Sequence, residues 1–371
     1  MRLTTLLLAL AAAGAVNAQS PAQSPAQSPA QSPTPNPDMR PFFNAVDRNH
    51  DGCASAAEWK QAGAPDSAYN MLKDAKGCVS LARMKEVPAP PGIDLNGDGQ
   101  VTLAEFRAFD RKMSAQMKAD AALAAKTDVG REVQQLQNLM SRRAYFHSVG
   151  QNENELALWA RKQPIRWAQN QGCWLGMASL KVYYDDVNRQ MQAANLKRLS
   201  RLNPAIKDVP ENRAVGTTVL HLLTTPIIEV ALDGQSAKGM WYTPGVILTS
   251  EDGKTPQGIW MWERYGVDFV KEDGQWRFLN IQVMTDFGNP MGRPLQPQGA
   301  AMGSEGGAPA PAPGADGVKV PGPDIARPLY SEFSPTRVPT ITPRLPEPYR
   351  RLGETFQYAD CTVEHDPSAR R

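Results

Sequence analysis

The sequence predicts an α+β protein, with a small helical unit followed by a larger unit in which helices precede strands. The chain has 371 residues, too many for one ordinary domain. Two low-complexity stretches, at 19–37 and 298–317, leave two ordered regions, at 39–126 and 127–291. Within the second region the apolar spacing changes from the helical period to the alternation of strands near residue 215. Helices first and strands afterwards are typical of the α+β class.

The first 18 residues, MRLTTLLLALAAAGAVNA, predict a secretory signal peptide. Arg2 supplies the positive charge, Leu6 to Val16 form an apolar run too short to cross a bilayer, and a small-residue cleavage pattern ends at Ala18. A buried or membrane helix is the alternative, but only polar linker follows. We therefore expect a secreted or periplasmic protein with no membrane span elsewhere in the chain.

Residues 19–38 and 292–371 are predicted to be linker and tail rather than domains. The first is a repeat of Ser, Pro, Ala and Gln without an apolar face to bury, so we expect a disordered tether. The second is rich in Pro and Gly, which precludes long helices, but its scattered aromatic residues could lie along a domain surface. The net charge of +2 argues for neither nucleic acid nor an anionic membrane as a partner.

Two acidic stretches of the first unit place oxygen-bearing side chains at the spacing that calcium requires. Calcium takes six to eight oxygens, and a twelve-residue loop provides them from places one, three, five, seven, nine and twelve, with Gly at place six. In the first loop, DRNHDGCASAAE, these ligands are Asp47, Asn49, Asp51, the carbonyl of Cys53, Ser55 and Glu58. In the second loop, DLNGDGQVTLAE, they are Asp94, Asn96, Asp98, the carbonyl of Gln100, Thr102 and Glu105. Both loops resemble the EF-hand family at every ligating place; the alternative is an Asx-rich turn without metal.

The sequence around these loops predicts flanking helices with one irregularity. MRPFFNAV is predicted to be the helix that enters the first loop. After the second loop, Phe106, Phe109, Met113 and Met117 recur at helical spacing and predict an amphipathic exit helix. Val101 falls where a strand residue is expected to pair with a partner loop. The prolines of EVPAPPGID preclude an ordinary helix before the second loop.

A third repeat lies between the two loops and has lost its ligands. GCVSLARM (Gly77 to Met84) lines up with GCASAAEW and GQVTLAEF. Leu72, Lys76 and Arg83 then fall at places one, five and twelve, so we expect no metal there. Because EF hands usually work in pairs joined by a two-stranded ribbon, this inactive loop is expected to be the strand partner of the first.

The four cysteines allow three disulfide pairings, and the sequence alone selects none of them. Export permits disulfides, and no Cys/His cluster argues for zinc. Cys53 and Cys78 occupy the same place in their repeats, so we hypothesise that they form a disulfide. Cys361 could pin the tail to Cys173; a disordered tail with an unpaired thiol is the alternative.

The second unit begins with helices and ends with strands. A helix is predicted from Asp128, with an apolar stripe that reaches His147. ELALWARK is predicted to continue as another helix, and GCWLGMASLKVYYDDVNRQMQ as a short strand leading into a third. Strands are expected at Val215–Leu232, Ser236–Ser250, Gly258–Lys271 and Gln275–Thr285. The Asp-Gly pairs between them favour hairpin turns and an antiparallel meander.

This order of elements resembles the SnoaL-like family of the nuclear-transport-factor-2-like superfamily. The resemblance covers about 160 residues and lies in GCWLGMASL, SAKGMWYTPGVI and GIWMWERYGVDFVKEDGQWRF. It implies a curved sheet wrapped around helices, a cone with an apolar pocket that could hold a small apolar ligand. The family includes dehydratases, isomerases, cyclases and non-catalytic members, so the fold does not decide the function.

The resemblance also implies candidate site residues in the second unit. His221 matches the strand histidine that serves some dehydratase members as acid or base, whereas Trp241 falls near the place of their second histidine. His147 follows Tyr145 where many members carry an Asp, and an imidazole can shuttle a proton near neutral pH. The further candidates for the wall of the cone are Glu263, Tyr265 and Asn280. For each histidine, a hydrogen-bonded core residue is the alternative.

Three functions are compatible with these features. The first is an exported calcium-binding protein whose second unit holds a small, largely apolar molecule. The second is a lyase or isomerase in which His147 and His221 move protons without a redox cofactor. The third is a non-catalytic interaction module that forms a homodimer through its sheet. The first is favoured because the calcium ligands are complete in the sequence, whereas the acid–base set is not.

Overall fold

The computed structural model describes residues 36–250, 252–292, 321–330, 333–336, 338 and 341–361. The predicted signal peptide, residues 19–35 of the repeat and the stretch at 298–317 lie outside the described residues. The described part of the chain has the predicted α+β architecture, with a helical unit followed by helices and then a curled sheet.

The N-terminal unit packs short helices around an aromatic core. In residues 36–126 the helices are α1 (Arg40–Val46), α2 (Ala56–Gln61), α3 (Asp66–Leu72), α4 (Leu81–Glu86) and α5 (Leu103–Ala124). The ring of Phe42 stacks on Phe106 with centroids 4.3 Å apart and meets Trp59 edge-on at 5.5 Å. Helices α1 and α5 are the predicted entering and exit helices. Phe106 is buried on α5, but Met113 and Met117, farther along the same stripe, are exposed.

Short β-bridges hold the two loops in different ways. Ala54 of the first loop pairs antiparallel with Val79 of the inactive repeat, which confirms the predicted partner. Val101 of the second loop pairs with no other loop in the described part of the chain; its N–H donates to the carbonyl of Asp38 at 3.0 Å. The predicted disulfide between Cys53 and Cys78 is present beside the first bridge.

The helices of the second unit are those predicted, except that one of them is shorter. They are α6 (Val129–Ser148), α7 (Asn152–Leu156), α8 (Gly176–Lys181) and α9 (Asn188–Leu202), with a π-helical turn at Val182–Val187 and a 3-10 turn at Pro210–Asn212. Asp128 caps α6 by accepting the N–H of Arg131 at 3.1 Å. The helix predicted from ELALWARK ends at Leu156, because Trp159 forms a bridge with Phe278 of the sheet. None of the described helices is long and apolar enough to cross a membrane.

The strands form one sheet in the order β3-β5-β6-β7-β1-β2-β8, with β4 also paired to β5. Their bounds are β1 (Arg166–Gln169), β2 (Gly172–Leu175), β3 (Thr217–His221), β4 (Thr224–Val230), β5 (Ser236–Thr249), β6 (Gln257–Glu272), β7 (Gln275–Pro290) and β8 (Ile325–Ala326). The strand predicted at Val215–Leu232 is divided into β3 and β4. Asp273 and Gly274 turn between β6 and β7 with φ of 52° and 75°, the positive values of a type I′ hairpin.

The two faces of the sheet have different neighbours. On the inner face, Tyr265, Val267 and Phe269 of β6 join the core beneath α6. On the outer face, the ring of Tyr358 lies over Gly266, where a Cβ would come within 2.4 Å of the ring. Tyr358 belongs to residues 341–361, which we call the tail segment.

Two contacts fix the C-terminal region on the sheet. Cys361 forms a disulfide with Cys173 of β2, so of the two alternatives for the tail the structure shows the pinned one. Strand β8 pairs with β2. Dimerisation through the sheet stays a prediction, and the described tail segment covers part of the outer face.

Candidate functional site

The second loop is held by its own backbone as a ring of acceptor oxygens. The N–H groups of Gly97 and Gly99 donate to the two carboxylate oxygens of Asp94, both at 2.8 Å. Asp98 accepts the N–H two residues farther on at 2.8 Å through Oδ1. Gly99, at place six, has a φ of 81°, which residues with a side chain rarely adopt.

Glu105 both closes the second loop and begins helix α5. Its Oε2 accepts from the N–H and the hydroxyl of Thr102, at 2.9 and 2.8 Å, and the Thr102 hydroxyl accepts the Glu105 N–H, which completes a capping box. Its Oε1 is buried and has no hydrogen-bond partner among the described residues. Such an acceptor is costly unless a cation or water meets it, and place twelve is where calcium takes a carboxylate.

The first loop repeats this geometry with a difference at its last residue. Asp47 Oδ1 is buried and lacks a hydrogen-bond partner in the described part of the chain. Both oxygens of Glu58, however, are already bonded: Oε1 accepts the N–H groups of Arg48 and Asn49 at 3.1 and 3.3 Å, and Oε2 accepts from Ser55. These bonds, chiefly those from Ser55, lower the pKa of Glu58 to about 2. A cation would have to displace some of them.

The donor sets of both loops fit calcium by oxygen type. Among the described residues, no three His, Cys, Asp or Glu side chains lie close enough to hold a metal by themselves. Calcium also binds amide, backbone carbonyl and hydroxyl oxygens, and each loop supplies these at places three, seven and nine, in that order. The twelve ligands named from the sequence stay a prediction. The observation that fits a cation is one buried, unpartnered carboxylate oxygen in each loop, on Asp47 in the first and on Glu105 in the second.

The second candidate site is a cluster of charged groups inside the second unit. His147, on the buried stripe of α6, faces Glu155 of α7 with 3.3 Å between Nδ1 and Oε2. The other oxygen of Glu155 meets the Arg143 guanidinium at 3.0 Å and accepts the Tyr184 hydroxyl. Burial alone would raise the pKa of Glu155, but the charges of Arg143 and His147 and its hydrogen bonds outweigh burial and hold that pKa below its usual value.

His221, the last residue of β3, forms a second pair beside the first. Its Nδ1 lies 3.6 Å from Oε2 of Glu263, which also accepts the Tyr265 hydroxyl at 3.2 Å. Thr285 donates to the other oxygen of Glu263 at 2.9 Å. The ring centroids of His147 and His221 are 5.3 Å apart. The structure therefore brings together two imidazoles, each next to a buried carboxylate.

The other predicted site residues do not all join this cluster. Glu263 and Tyr265 share the inner face with His221. Tyr145 is 76 % exposed, because α6 turns positions 143 and 147 inward and position 145 outward. Trp241 is a core residue packed against Phe269. Asn280 lies beneath the tail segment, where it donates to Asp268 at 2.9 Å.

Three residues of the cluster, Arg143, Glu155 and Tyr184, were not predicted from the sequence. Charged side chains are rarely fully buried, so the available signal was the position of Arg143 on the apolar stripe of α6. Arg143 lies one helical turn before His147 and is 1 % exposed. The guanidinium carbon of Arg143 lies 5.1 to 5.9 Å from the ring centroids of Trp167, Tyr184 and Tyr265, so side chains occupy the interior next to the histidines.

An apolar cavity of about 260 Å³ is present, but it lies in the N-terminal unit and not beside the histidines. It is bounded by α3, α4 and α5, and methionines are prominent in its lining: Met39, Met71, Met84 and Met113. None of its lining residues belongs to the titratable cluster, so the cavity is no part of the acid–base site. The small-molecule pocket expected inside the cone stays a prediction.

We expect a His221→Asn variant to lose part of the acid sensitivity of folding. Burial first, and then the positive charges of His147 and Arg143, hold the pKa of His221 well below 6.5. Below that pH the unfolded chain takes up a proton that the folded chain does not, so the wild type loses stability as pH falls. Urea unfolding at several pH values between about 5 and 7 should show a shallower dependence in the variant. The exposed His50, changed to Asn, should leave the slope unchanged; equal slopes for His221→Asn and wild type would contradict the expectation.

Two family models match this chain. Residues 131–282 match the SnoaL-like domain, and residues 93–110 match the EF hand. The first range includes both histidines, and the second contains the second loop and the start of α5. The resemblance expected from the sequence is thus confirmed for these two ranges.

Solved structures with a similar arrangement have low sequence identity. A variant of Rv3472, a protein of unknown function from Mycobacterium tuberculosis, is 18% identical over 44% of this chain and 78% of its own, with a TM-score of 0.30. A type 2 hexachlorocyclohexane dehydrochlorinase (LinA) is 16% identical over 47% of this chain and 99% of its own, with a TM-score of 0.31. An NTF2-like protein with a cystatin-like fold from Novosphingobium aromaticivorans is 17% identical over 44% of this chain and 87% of its own, also with a TM-score of 0.31. No curated protein matches this chain.

Proposed function

We propose that this chain, which joins an EF hand to a SnoaL-like domain, is an exported protein that binds calcium through its second loop. The observation that carries the proposal is the buried Oε1 of Glu105, which has no hydrogen-bond partner among the described residues. The signal peptide predicted at residues 1–18 supports export to the periplasm or beyond. Exported modules meet abundant calcium and do not need a tight site.

Calcium in the second loop would stabilise the N-terminal unit by joining separate segments. Glu105 belongs both to the predicted ligand set and to the capping box that begins α5. On the other side of the loop, the N–H of Asp38 donates to the Gly99 carbonyl at 2.8 Å, and its carbonyl accepts from Val101. The ion would offset the mutual repulsion of the loop carboxylates. We infer a mainly structural role for the metal.

Calorimetric titration of the purified full chain with calcium, after removal of metal by a chelator, tests this proposal. We expect a dissociation constant on the order of 10⁻⁵ to 10⁻³ M and a higher midpoint of thermal unfolding when calcium is present. Magnesium at the same concentration should act less, because it requires a smaller octahedral set of oxygens. No heat and no thermal shift at calcium concentrations well above this range would overturn the proposal.

The paired histidines favour a second function for the SnoaL-like domain, namely proton transfer in an elimination or isomerisation. The observation is that His147 and His221 lie within 5.3 Å of each other, each beside its own buried carboxylate. Imidazole is the side chain best suited to gain and lose a proton near neutral pH. The chemistry proposed needs no redox cofactor.

The surroundings of the two rings suggest different roles. His221 would be the base, because burial and nearby positive charge lower its pKa and keep its imidazole in the neutral form that a base requires. His147 would be the acid, because the Glu155 carboxylate at 3.3 Å stabilises the imidazolium form that carries a proton to the leaving group. Glu263, whose Oε2 lies 3.6 Å from Nδ1, would stabilise the positive charge that His221 gains when it takes the proton.

Proton abstraction can be measured before a physiological substrate is known. Small cyclic ketones in D₂O serve as the probe, and NMR follows exchange of the hydrogen on the carbon next to the carbonyl. Wild type should accelerate exchange and His221→Asn should not, while the exposed His50→Asn variant should match wild type. Absence of exchange with wild type, or equal exchange by His221→Asn, would defeat the base assignment; circular dichroism checks that each variant is folded.

A further inference from the structure

A second buried charged cluster lies on the outer face of the sheet, separate from the histidines. It is centred on Lys238 of β5 and Asp268 of β6, which are direct partners in the antiparallel pairing of these strands. Opposite residues of paired strands project from the same face with short distances between their Cβ atoms. The two side chains therefore meet between the sheet and the tail segment.

Lys238 and Asp268 are in contact and shielded from water. Lys238 Nζ lies 2.5 Å from Asp268 Oδ1, and each side chain is 1 % exposed. Taking two charges out of water costs several kcal/mol for each ion, and their attraction does not always offset that cost. Transfer of the proton from the amine to the carboxylate would make both groups neutral and remove that cost.

The tail segment supplies the walls of this site. The centroids of the Phe356, Tyr358 and Tyr349 rings lie 4.7, 5.6 and 5.7 Å from Lys238 Nζ. These rings shield the amine from water where it contacts Asp268, and Glu229 of β4 lies opposite Lys238 on its other side in the sheet. The close approach of Tyr358 to the sheet depends on Gly266, which has no Cβ to meet the ring.

The second oxygen of Asp268 is held by two hydrogen-bond donors. Oδ2 accepts the backbone N–H of Tyr358 at 2.7 Å and the side-chain amide of Asn280 at 2.9 Å. Donors fixed on one carboxyl oxygen stabilise the negative charge that this oxygen gains when a nucleophile adds to the carbon. Burial raises the pKa of Asp268 above its usual value despite the nearby lysine, which favours the protonated acid.

We propose that Lys238 and Asp268 form a covalent amide between their side chains, joining β5 to β6 beneath the tail segment. The geometry that carries this proposal is an amine held against a carboxyl group on a paired strand, in a dry site with two donors on the opposite carboxyl oxygen. A fixed intramolecular arrangement of this kind gives effective concentrations on the order of 10⁵ to 10⁸ M.

The reaction balances without any further reagent. One proton passes from the lysine ammonium to Asp268 Oδ1, which gives a neutral amine and a carboxylic acid. The nitrogen lone pair then attacks Cγ, and the electrons of the C–Oδ2 double bond move onto Oδ2, where Tyr358 and Asn280 donate. When that double bond re-forms, the C–Oδ1 bond breaks, and Oδ1 leaves as water with a proton taken from the nitrogen. The products are one amide and one water molecule.

Peptide mapping of the folded, full chain tests the proposal. Trypsin cannot cleave at an acylated lysine, so Lys238 should resist cleavage. The digest should contain residues 214–254 joined to residues 265–271, with a mass lower than the sum of the two by one water molecule. Fragmentation should place the link between Lys238 and Asp268. Recovery of 214–238 and 265–271 as separate peptides would overturn the proposal.

The chain provides a matched control in the same digest. Lys162 Nζ lies 2.6 Å from Asp273 Oδ1, nearly the distance in the buried pair, but these side chains are 62 and 76 % exposed. Water solvates this pair and keeps both groups charged, so no link is expected between them. A Lys238→Arg variant should lack the joined peptide, because a guanidinium does not act as the nucleophile. A link in the exposed pair as well would show that burial and the tail segment are not the cause.

Discussion

Glu105→Gln is expected to abolish most calcium binding at the second loop, with affinity falling on the order of 100-fold, about 3 kcal/mol. The change keeps the shape of the side chain but removes one negative charge and one of the two equivalent oxygens at place twelve. The unpartnered Oε1 of Glu105 is the atom that would meet the ion. The capping role toward Thr102 needs a single oxygen and can survive the substitution.

The same substitution at Glu58 should have a smaller effect on calcium binding. Both oxygens of Glu58 already accept hydrogen bonds within the first loop, so this loop has less to gain from an ion. Calorimetry on the two single variants and on the double variant measures the calcium binding of each loop separately. Glu86→Gln, at an exposed position outside both loops, is the control for the loss of one negative charge. Unchanged binding in the double variant would show that neither loop holds the metal.

Arg143→Met is expected to destabilise the folded state by about 3 to 5 kcal/mol, because it leaves a buried carboxylate without its main counter-charge. The Arg143 and Glu155 side chains are 1 and 0 % exposed and lie 3.0 Å apart. Arg143 also donates to the hydroxyl of Tyr184, so the variant removes more than one bond of the cluster. The free energy of unfolding in urea measures the loss.

A double variant shows whether the loss comes from the isolated charge. Arg143→Met combined with Glu155→Leu removes both charges, and replacing a buried pair by apolar residues is often close to neutral. The double variant should therefore recover much of the stability lost by Arg143→Met alone. Arg83→Met, which breaks an exposed contact with Glu86, should cost far less. A loss below about 1 kcal/mol for Arg143→Met would contradict the assigned burial.

The metal loops could be predicted from the sequence because their information is local. Each ligand set lies within twelve consecutive residues, and the flanking helices follow from short-range spacing. Pairing between loops needs contacts across the fold, and there the expectation held for Ala54 with Val79 but not for Val101, whose N–H donates to Asp38 beside the bridge between Asp38 and Gln100. Nothing local in the sequence links residue 38 to the second loop.

The second site was only partly predictable, for a similar reason. His147 and His221 could be named individually, but their proximity depends on α6 crossing β3, which lies far along the chain. Arg143 and Glu155 were not named, since charged residues are usually exposed and the rings that surround this pair, such as Tyr184 and Tyr265, come from later elements of the chain. Asn280 was assigned to the wall of the cone, but it lies on the outer face of the sheet. A bulge next to it in the pairing of β6 and β7 changes the face to which the side chains point, and the alternation of apolar and polar residues does not reveal that bulge.

The Cys173–Cys361 disulfide joins two residues that are 188 positions apart in sequence and closes a loop of backbone that includes β3 to β8. A protease that cuts once between Gly292 and Pro321 would therefore produce two fragments that remain joined through sulfur. Such a nicked molecule should migrate as one chain on a denaturing gel and split into two bands when a thiol reagent is added.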